Sequence, residues 1–154
     1  MSLTRRALLI AAVSIPVGGT ILRPAFASEP EVFAPGGVAI SGYDPVAYFT
    51  EGKPVPGQTG HALKWRGVTW YFASAETMEA FEMDPLAYAP QYGGYCAYAM
   101  SKGAVASTVP DAFTVTGGRL YLTYSTEVRA IWREDIAANV ALADSHWPSV
   151  LNSR

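Results

Sequence analysis

Residues 42–49, GYDPVAYF, and residues 68–99, VTWYFASAETMEAFEMDPLAYAPQYGGYCAYA, decide the fold of this chain. Asp44 stands before a proline and predicts the start of a short helix, because Asp is a favoured N-cap and Pro suits the first helical position. Ser74 predicts a second helix start. The Asp-Pro pair at 84–85 ends that helix, because a residue before proline avoids the α region. The stretch therefore predicts helices on both sides of an aromatic strand.

Two β-hairpins are predicted from apolar residues that alternate on either side of glycine-containing turns. Residues 63–73 alternate in this way, which places Trp70 and Phe72 on the same face of the second strand. Residues 113–115 and 120–124 flank a second turn of the same kind.

A longer helix is predicted at the C-terminal end, over residues 125 to about 144. Its apolar residues recur at helical spacing and are Val128, Ile131, Trp132, Ile136 and Val140. The predicted class is α+β: a small antiparallel sheet built from two hairpins, packed against several short helices and one longer C-terminal helix.

The first 27 residues have the organisation of an export signal. Arg5 and Arg6 form a twin-arginine pair before a mildly apolar stretch, and Ala25 and Ala27 supply the small residues that a signal peptidase recognises. The pattern predicts transport to the periplasm by the twin-arginine route, with cleavage after Ala27. The alternative is an uncleaved membrane anchor, but the apolar stretch is short and weakly apolar for a transmembrane helix.

The rest of the chain divides into a linker and one domain. Residues 28–37 are rich in proline and glycine and show no periodic pattern, so they are predicted to form a linker. Residues 38–151 have a length typical of one domain.

The charge of the mature chain excludes some partners. Cleavage removes three of the 11 basic residues, Arg5, Arg6 and Arg23, and leaves all 13 acidic residues, so the net charge changes from −2 to −5. A negative chain without a basic run argues against nucleic acid and against anionic membrane surfaces. Membrane association is expected only through an uncleaved signal. The single cysteine cannot form an intrachain disulfide.

The Asp-Pro opening, the aromatic strand and the Tyr/Gly-rich segment resemble those of a YHS domain, in particular the exported YHS-containing proteins. YHS modules beside heavy-metal pumps have a DPVC-like opening and a YFCS-like strand end, and the resemblance implies that two thiols meet there as soft-metal ligands. This chain has DPVA and YFAS at the matching places, so Ala47 and Ala73 stand at both thiol positions.

A second set of metal ligands is therefore predicted around the only cysteine. Cys96 and Met100 are four residues apart, a spacing that places both sulfurs on one face of a helix. A thiolate with a thioether suits Cu(I), and His61 could add an imidazole, so copper is the candidate cofactor. The alternative is that both sulfur residues fill the core, as buried Cys and Met commonly do.

Three tyrosines around this cysteine are candidates for a ligand pocket. Tyr92, Tyr95 and Tyr98 could line a site for a flat ligand such as haem, and the alternative is an ordinary core with hydroxyls at the surface. A nucleophilic pair of Cys96 with His61 is conceivable, but no catalytic signature surrounds the cysteine. The chain is therefore not expected to be an enzyme.

Three functions stay open. The first is a periplasmic, non-enzymatic binding module for a soft metal ion such as copper. The second is a metal-free accessory module that binds a partner protein or a small ligand through an aromatic surface. The third is a thiol-dependent enzyme.

Overall fold

The chain forms helices and strands in the mixture expected of an α+β fold, in a computed structural model that describes residues 27–153. The strands are β1 Gln58–Trp65, β2 Val68–Phe72, β3 Phe113–Thr116 and β4 Arg119–Leu122. The α-helices are α1 Ala47–Thr50, α2 Ala75–Met83, α3 Pro85–Tyr88, α4 Ala97–Ser101, α5 Thr126–Arg133 and α6 Ile136–His146. Single 3-10 turns lie at Pro35–Gly37, Ala39–Gly42, Gln91–Gly94 and Ser149–Asn152. The predicted fold class is confirmed.

The two predicted hairpins form, but each stays a separate two-stranded antiparallel sheet. β1 pairs with β2, and β3 pairs with β4, across turns that contain glycine with positive φ. Trp70 and Phe72 are 1% and 0% exposed, whereas Tyr71 is half-buried, which confirms the predicted alternation along β2.

The first hydrophobic core lies between the β1–β2 hairpin and α2. The helix starts with a capping box, in which Ser74 and Thr77 exchange side-chain to backbone hydrogen bonds. This start directs Phe81 into the core, where its ring centroid lies 5.1 Å from that of Trp70 and 5.2 Å from that of Phe72. Other buried members are Val32, Ala39, Ile40, Val46, Tyr48, Leu120 and Leu122.

A second hydrophobic core lies between α4, β4 and the C-terminal helices. α4 packs mainly against α6, and Met100 of α4 is fully buried. Its buried neighbours in this core are Tyr92, Tyr95, Ala97, Tyr121, Trp132, Ala143, Val150 and Leu151. The second core is therefore rich in aromatic rings, several of which carry a hydroxyl group.

The C-terminal helix predicted over residues 125–144 is interrupted. α5 ends at Arg133. Asp135 has non-helical φ/ψ values and accepts a hydrogen bond from the Ala138 N–H at 3.1 Å, so it caps a new helix. The interruption lets Trp132 of α5 and Ala143 of α6 both reach the second core, where each is 0% exposed. Periodicity alone did not reveal it, because the apolar spacing continues through the break.

The segment predicted as a linker packs on the domain. Val32 is 2% exposed in the first core, and the Phe33 N–H donates to the Gly93 carbonyl at 2.9 Å. Gly93 has a φ of +64°, and a Cβ at this position would collide with the backbone of Glu31. Only glycine therefore allows this close approach of the two segments.

The predicted export signal, residues 1–27, lies outside the described residues except for its last residue, Ala27. None of the helices formed by residues 27–153 has the length and apolarity that a membrane crossing requires.

Candidate functional site

A buried carboxylate organises the region where the family resemblance places two thiols. Asp44 is 0% exposed, and its Oδ1 accepts hydrogen bonds from the backbone N–H groups of Val46 at 2.8 Å and Ala47 at 3.3 Å. Its Oδ2 accepts the N–H of Ala73 at 2.9 Å, from the end of β2. One side chain therefore holds the start of α1 against the end of the first hairpin.

This bridge brings positions 47 and 73 together, because their backbone N–H groups bind the two oxygens of the same carboxylate. Ala47 is buried and Ala73 is half-buried. Methyl groups offer no electron pair to a metal ion, and the carboxylate oxygens already accept three backbone hydrogen bonds. These residues therefore do not fit the soft-metal site that the resemblance implies.

Cys96 has a structural role in the chain's second half. It is 1% exposed and is the N-cap residue of α4, outside the helix itself. Its Sγ accepts hydrogen bonds from the N–H of Ala99 at 3.4 Å and from the N–H of Tyr124 at 3.3 Å. The sulfur thus caps a helix and ties it to the segment that follows β4.

Met100 lies in the second core, where it is 0% exposed. The predicted proximity of Met100 and Cys96 requires both residues to lie within one helix. Cys96 instead precedes the first helical residue and has non-helical φ/ψ values. The Cys96 sulfur turns back onto backbone N–H groups instead of following the helix face.

His61 lies in β1, at the other hairpin. β1 packs against β2 and α2, while α4 packs against α5 and α6. His61 is near Glu76 in the first turn of α2. The pKa of Glu76 is lowered mainly by a hydrogen bond from its own backbone, then by the Ser74 hydroxyl and to a lesser extent by His61. Within residues 27–153, no three His, Cys, Asp or Glu side chains cluster closely enough to hold a metal ion.

The three candidate tyrosines have different surroundings. The Tyr95 hydroxyl donates to the Pro30 carbonyl at 2.9 Å, and Tyr95 lines a cavity of about 330 Å³ together with Phe33. Tyr92 lines a different cavity, of about 130 Å³. The ammonium group of Lys102 lies over the ring of Tyr98, 5.0 Å from the ring centroid. Tyr92 and Tyr95 are thus both buried in the second core and Tyr98 packs against it, but Tyr92 and Tyr95 line different cavities.

The hydroxyl of Tyr92 is hydrogen-bonded to a carboxylate. It donates to Oδ1 of Asp144 at 2.9 Å. Burial, together with this hydrogen bond and the charge of Asp144, raises the pKa of Tyr92 far above its ordinary value. Tyr92 therefore stays protonated and links the 3-10 turn at Gln91–Gly94 to α6.

A family comparison covers one segment of the domain, residues 46–92. The YHS domain family model matches residues 46–92, and this segment of the chain is similar to a YHS domain. YHS domains are a family proposed to bind metal ions. The match contains Ala47 and Ala73 and ends before Cys96. No curated protein matches this chain significantly, and no solved structure does.

Proposed function

We propose that this protein is a non-enzymatic YHS-type binding module that acts in the periplasm. It holds no soft metal at the family's position and recognises a small ligand or a partner protein through its aromatic surface. The observation that carries this proposal is the Asp44 bridge: the scaffold still brings positions 47 and 73 together, but both carry methyl groups. The scaffold is retained while the ligands for a soft metal are not.

A candidate aromatic surface surrounds the cavity of about 130 Å³, which is lined in part by Trp65, Leu86 and Trp147. Leu86 is 69% exposed, and the nearby end of α2 presents Met83, which is 81% exposed. Large apolar side chains exposed beside a cavity are typical of interaction sites.

A non-enzymatic role is supported by the surroundings of the single thiol. Cys96 is 1% exposed and its sulfur accepts two backbone hydrogen bonds, so a substrate has no direct route to it. A nucleophilic thiol also needs a base within hydrogen-bond reach. The candidate base, His61, lies on β1, whose main packing partners are β2 and α2.

Restoring the two thiols is expected to create a soft-metal site. In an anaerobic Cu(I) competition titration, Ala47→Cys with Ala73→Cys should bind at least about tenfold more tightly than the wild type, because thiolates are preferred Cu(I) ligands. The matched control is Ala47→Ser with Ala73→Ser, which adds atoms of similar size but poor soft-metal ligands. Equal affinity in the wild type and the double-cysteine variant would contradict the proposed geometry of the two positions.

The second candidate function is Cu(I) binding at Cys96, and the observation that favours it is a thiol and a thioether in one short segment. If Cys96 and Met100 hold Cu(I), Cys96→Ser should abolish binding, and Met100→Leu should weaken it with little change in stability. If they are structural, neither substitution changes the copper content of protein purified anaerobically from the periplasm. In that case the only expected effect of Cys96→Ser is a loss of stability, because the substitution replaces the sulfur that accepts two backbone hydrogen bonds.

Periplasmic export depends on the twin-arginine pair in this proposal. Arg5→Lys with Arg6→Lys should leave unprocessed precursor in the cytoplasm, because the transport receptor recognises the paired arginines. Cell fractionation followed by immunoblotting measures this, with Arg23→Lys as the control that should be exported normally. N-terminal sequencing of the exported wild type should begin at or near Ser28. Normal export of the double variant would rule out the twin-arginine route.

A further inference from the structure

A groove outside the matched YHS region lies between the β3–β4 hairpin and α6. Its volume is about 310 Å³, at the lower end of the range for small-molecule sites. The residues that line it are Thr116, Gly117, Arg119, Tyr121, Ile136, Ala137 and Val140. One wall is therefore an apolar face of α6, and the opposite side carries a guanidinium and a phenol.

The guanidinium of Arg119 is available to a ligand. The ion pair found within residues 27–153 joins Arg66 to Glu31, so Arg119 has no carboxylate partner within 4 Å in this part of the chain. Arg119 is exposed at the start of β4, next to the groove that it lines. An unpaired guanidinium beside an apolar wall is suited to a carboxylate, which it can bind through two parallel hydrogen bonds.

Tyr121, which is 4% exposed, also lines the groove and carries a hydroxyl group. Its ring packs on Trp132 and Tyr92, with centroids 5.0 Å and 6.2 Å away, so the ring is held while the residue still lines the groove. The two fully buried polar side-chain atoms without a partner in residues 27–153 are Oγ1 of Thr114 and Nε1 of Trp132. Both residues are neighbours of Tyr121: Thr114 pairs with it across the sheet, and Trp132 packs on its ring.

Arg119 is the charged residue in the lining of the groove, so it can compensate one negative charge of a ligand. Asp144 lies one turn beyond Val140 on α6, and its carboxylate already accepts a hydrogen bond from the Tyr92 hydroxyl. The positive charge of Arg119 opposes the rise in the pKa of Tyr92, which burial and Asp144 cause. A dianion would keep one uncompensated charge near Asp144, whereas a monoanion is neutralised by Arg119 alone.

We infer that the groove binds a small monocarboxylate with an apolar body. Arg119 and the Tyr121 hydroxyl hold the carboxylate, and Ile136, Ala137 and Val140 contact the apolar part. This inference rests on the proposal that the protein is a binding module, and it names the chemistry of one ligand.

The test uses benzoate as the probe and benzamide, its neutral analogue of the same shape, as the matched ligand. Isothermal titration calorimetry on the exported protein should give a dissociation constant of about 1 mM for benzoate, as expected for so small a ligand. Benzamide should bind about tenfold more weakly, because it lacks the charge that Arg119 recognises.

Two substitutions test the residues, and a third serves as a control. Arg119→Gln should weaken benzoate binding about tenfold or more and remove the preference over benzamide. Tyr121→Phe should weaken it about threefold to tenfold through loss of one hydrogen bond. Arg133→Gln removes an exposed arginine from α5, outside the groove lining, and should bind benzoate like the wild type. Unchanged thermal melting shows that each variant is folded.

Three outcomes would overturn the inference: equal binding of benzoate and benzamide by the wild type, an unchanged benzoate affinity in Arg119→Gln, or tighter binding of inorganic phosphate than of benzoate. These outcomes leave the proposed function standing if the protein carries no copper. Stoichiometric copper that is lost in Cys96→Ser would refute the metal-free function, whatever the result with benzoate.

Discussion

Replacing Trp70 with alanine is expected to lower the free energy of unfolding by about 3–5 kcal/mol, the usual cost of removing a fully buried aromatic side chain. The residue is 1% exposed, and its ring packs against Phe81 and Trp65 with centroids 5.1 Å and 5.7 Å away. Its indole Nε1 also donates to the Trp65 carbonyl at 3.1 Å. The truncation therefore leaves a cavity in the first core and removes this hydrogen bond.

Chemical unfolding followed by far-UV circular dichroism measures this loss without relying on tryptophan fluorescence. Tyr71→Ala is the matched control, because Tyr71 is the adjacent aromatic residue on the other face of β2 and is half-buried. Its substitution should cost less, about 1–2 kcal/mol. If both variants lose the same stability, the first core does not lie on the face of β2 that carries Trp70.

Asp44→Ala should be as destabilising as the substitution of Trp70, at about 3–5 kcal/mol, although it removes only one small side chain. The carboxylate accepts the N–H groups of Val46, Ala47 and Ala73, and the substitution leaves all three without this acceptor. Because a buried donor without a partner costs about 1–3 kcal/mol, the losses accumulate around one residue. Asp44→Asn keeps one carbonyl acceptor and should retain part of the stability.

A matched control for this substitution is Asp84→Ala. Asp84 is also an aspartate before a proline that caps a helix, but its hydrogen bond to the Ala87 N–H, at 3.3 Å, is exposed. Loss of an ordinary helix cap costs about 1 kcal/mol. Equal losses in the two variants, measured by the same denaturant series, would mean that Asp44 acts only as a helix cap and not as a bridge to β2.

The local structure of this chain followed from its sequence. Ser74 caps α2 and Asp84 precedes the proline that ends it, because cap and proline effects depend on a few neighbouring residues. Trp70 and Phe72 share the buried face of β2, because side chains on a strand alternate. These features gave the α+β class and both hairpins.

The break between α5 and α6 could not be predicted from periodicity, because the apolar residues continue at helical spacing across it. Asp135 was compatible with a helix interior until tertiary packing required Trp132 and Ala143 to enter the same core. Its side chain then caps the new helix. The packing of residues 28–37 was hidden for a similar reason: it depends on Gly93, which is distant in sequence.

For the candidate sites, the sequence determined which chemical groups are present, and the tertiary structure decided their partners. Alanines at 47 and 73 are visible in the sequence, but the single carboxylate that joins them appears only when α1 meets the end of β2. The spacing of Cys96 and Met100 suggested a sulfur pair, whereas the fold directs the Cys96 sulfur to the N–H of Tyr124. The groove beside Arg119 likewise requires α6 to lie against the second hairpin. Each of these partners is distant along the chain, and local sequence patterns carry no information on contacts that only packing creates.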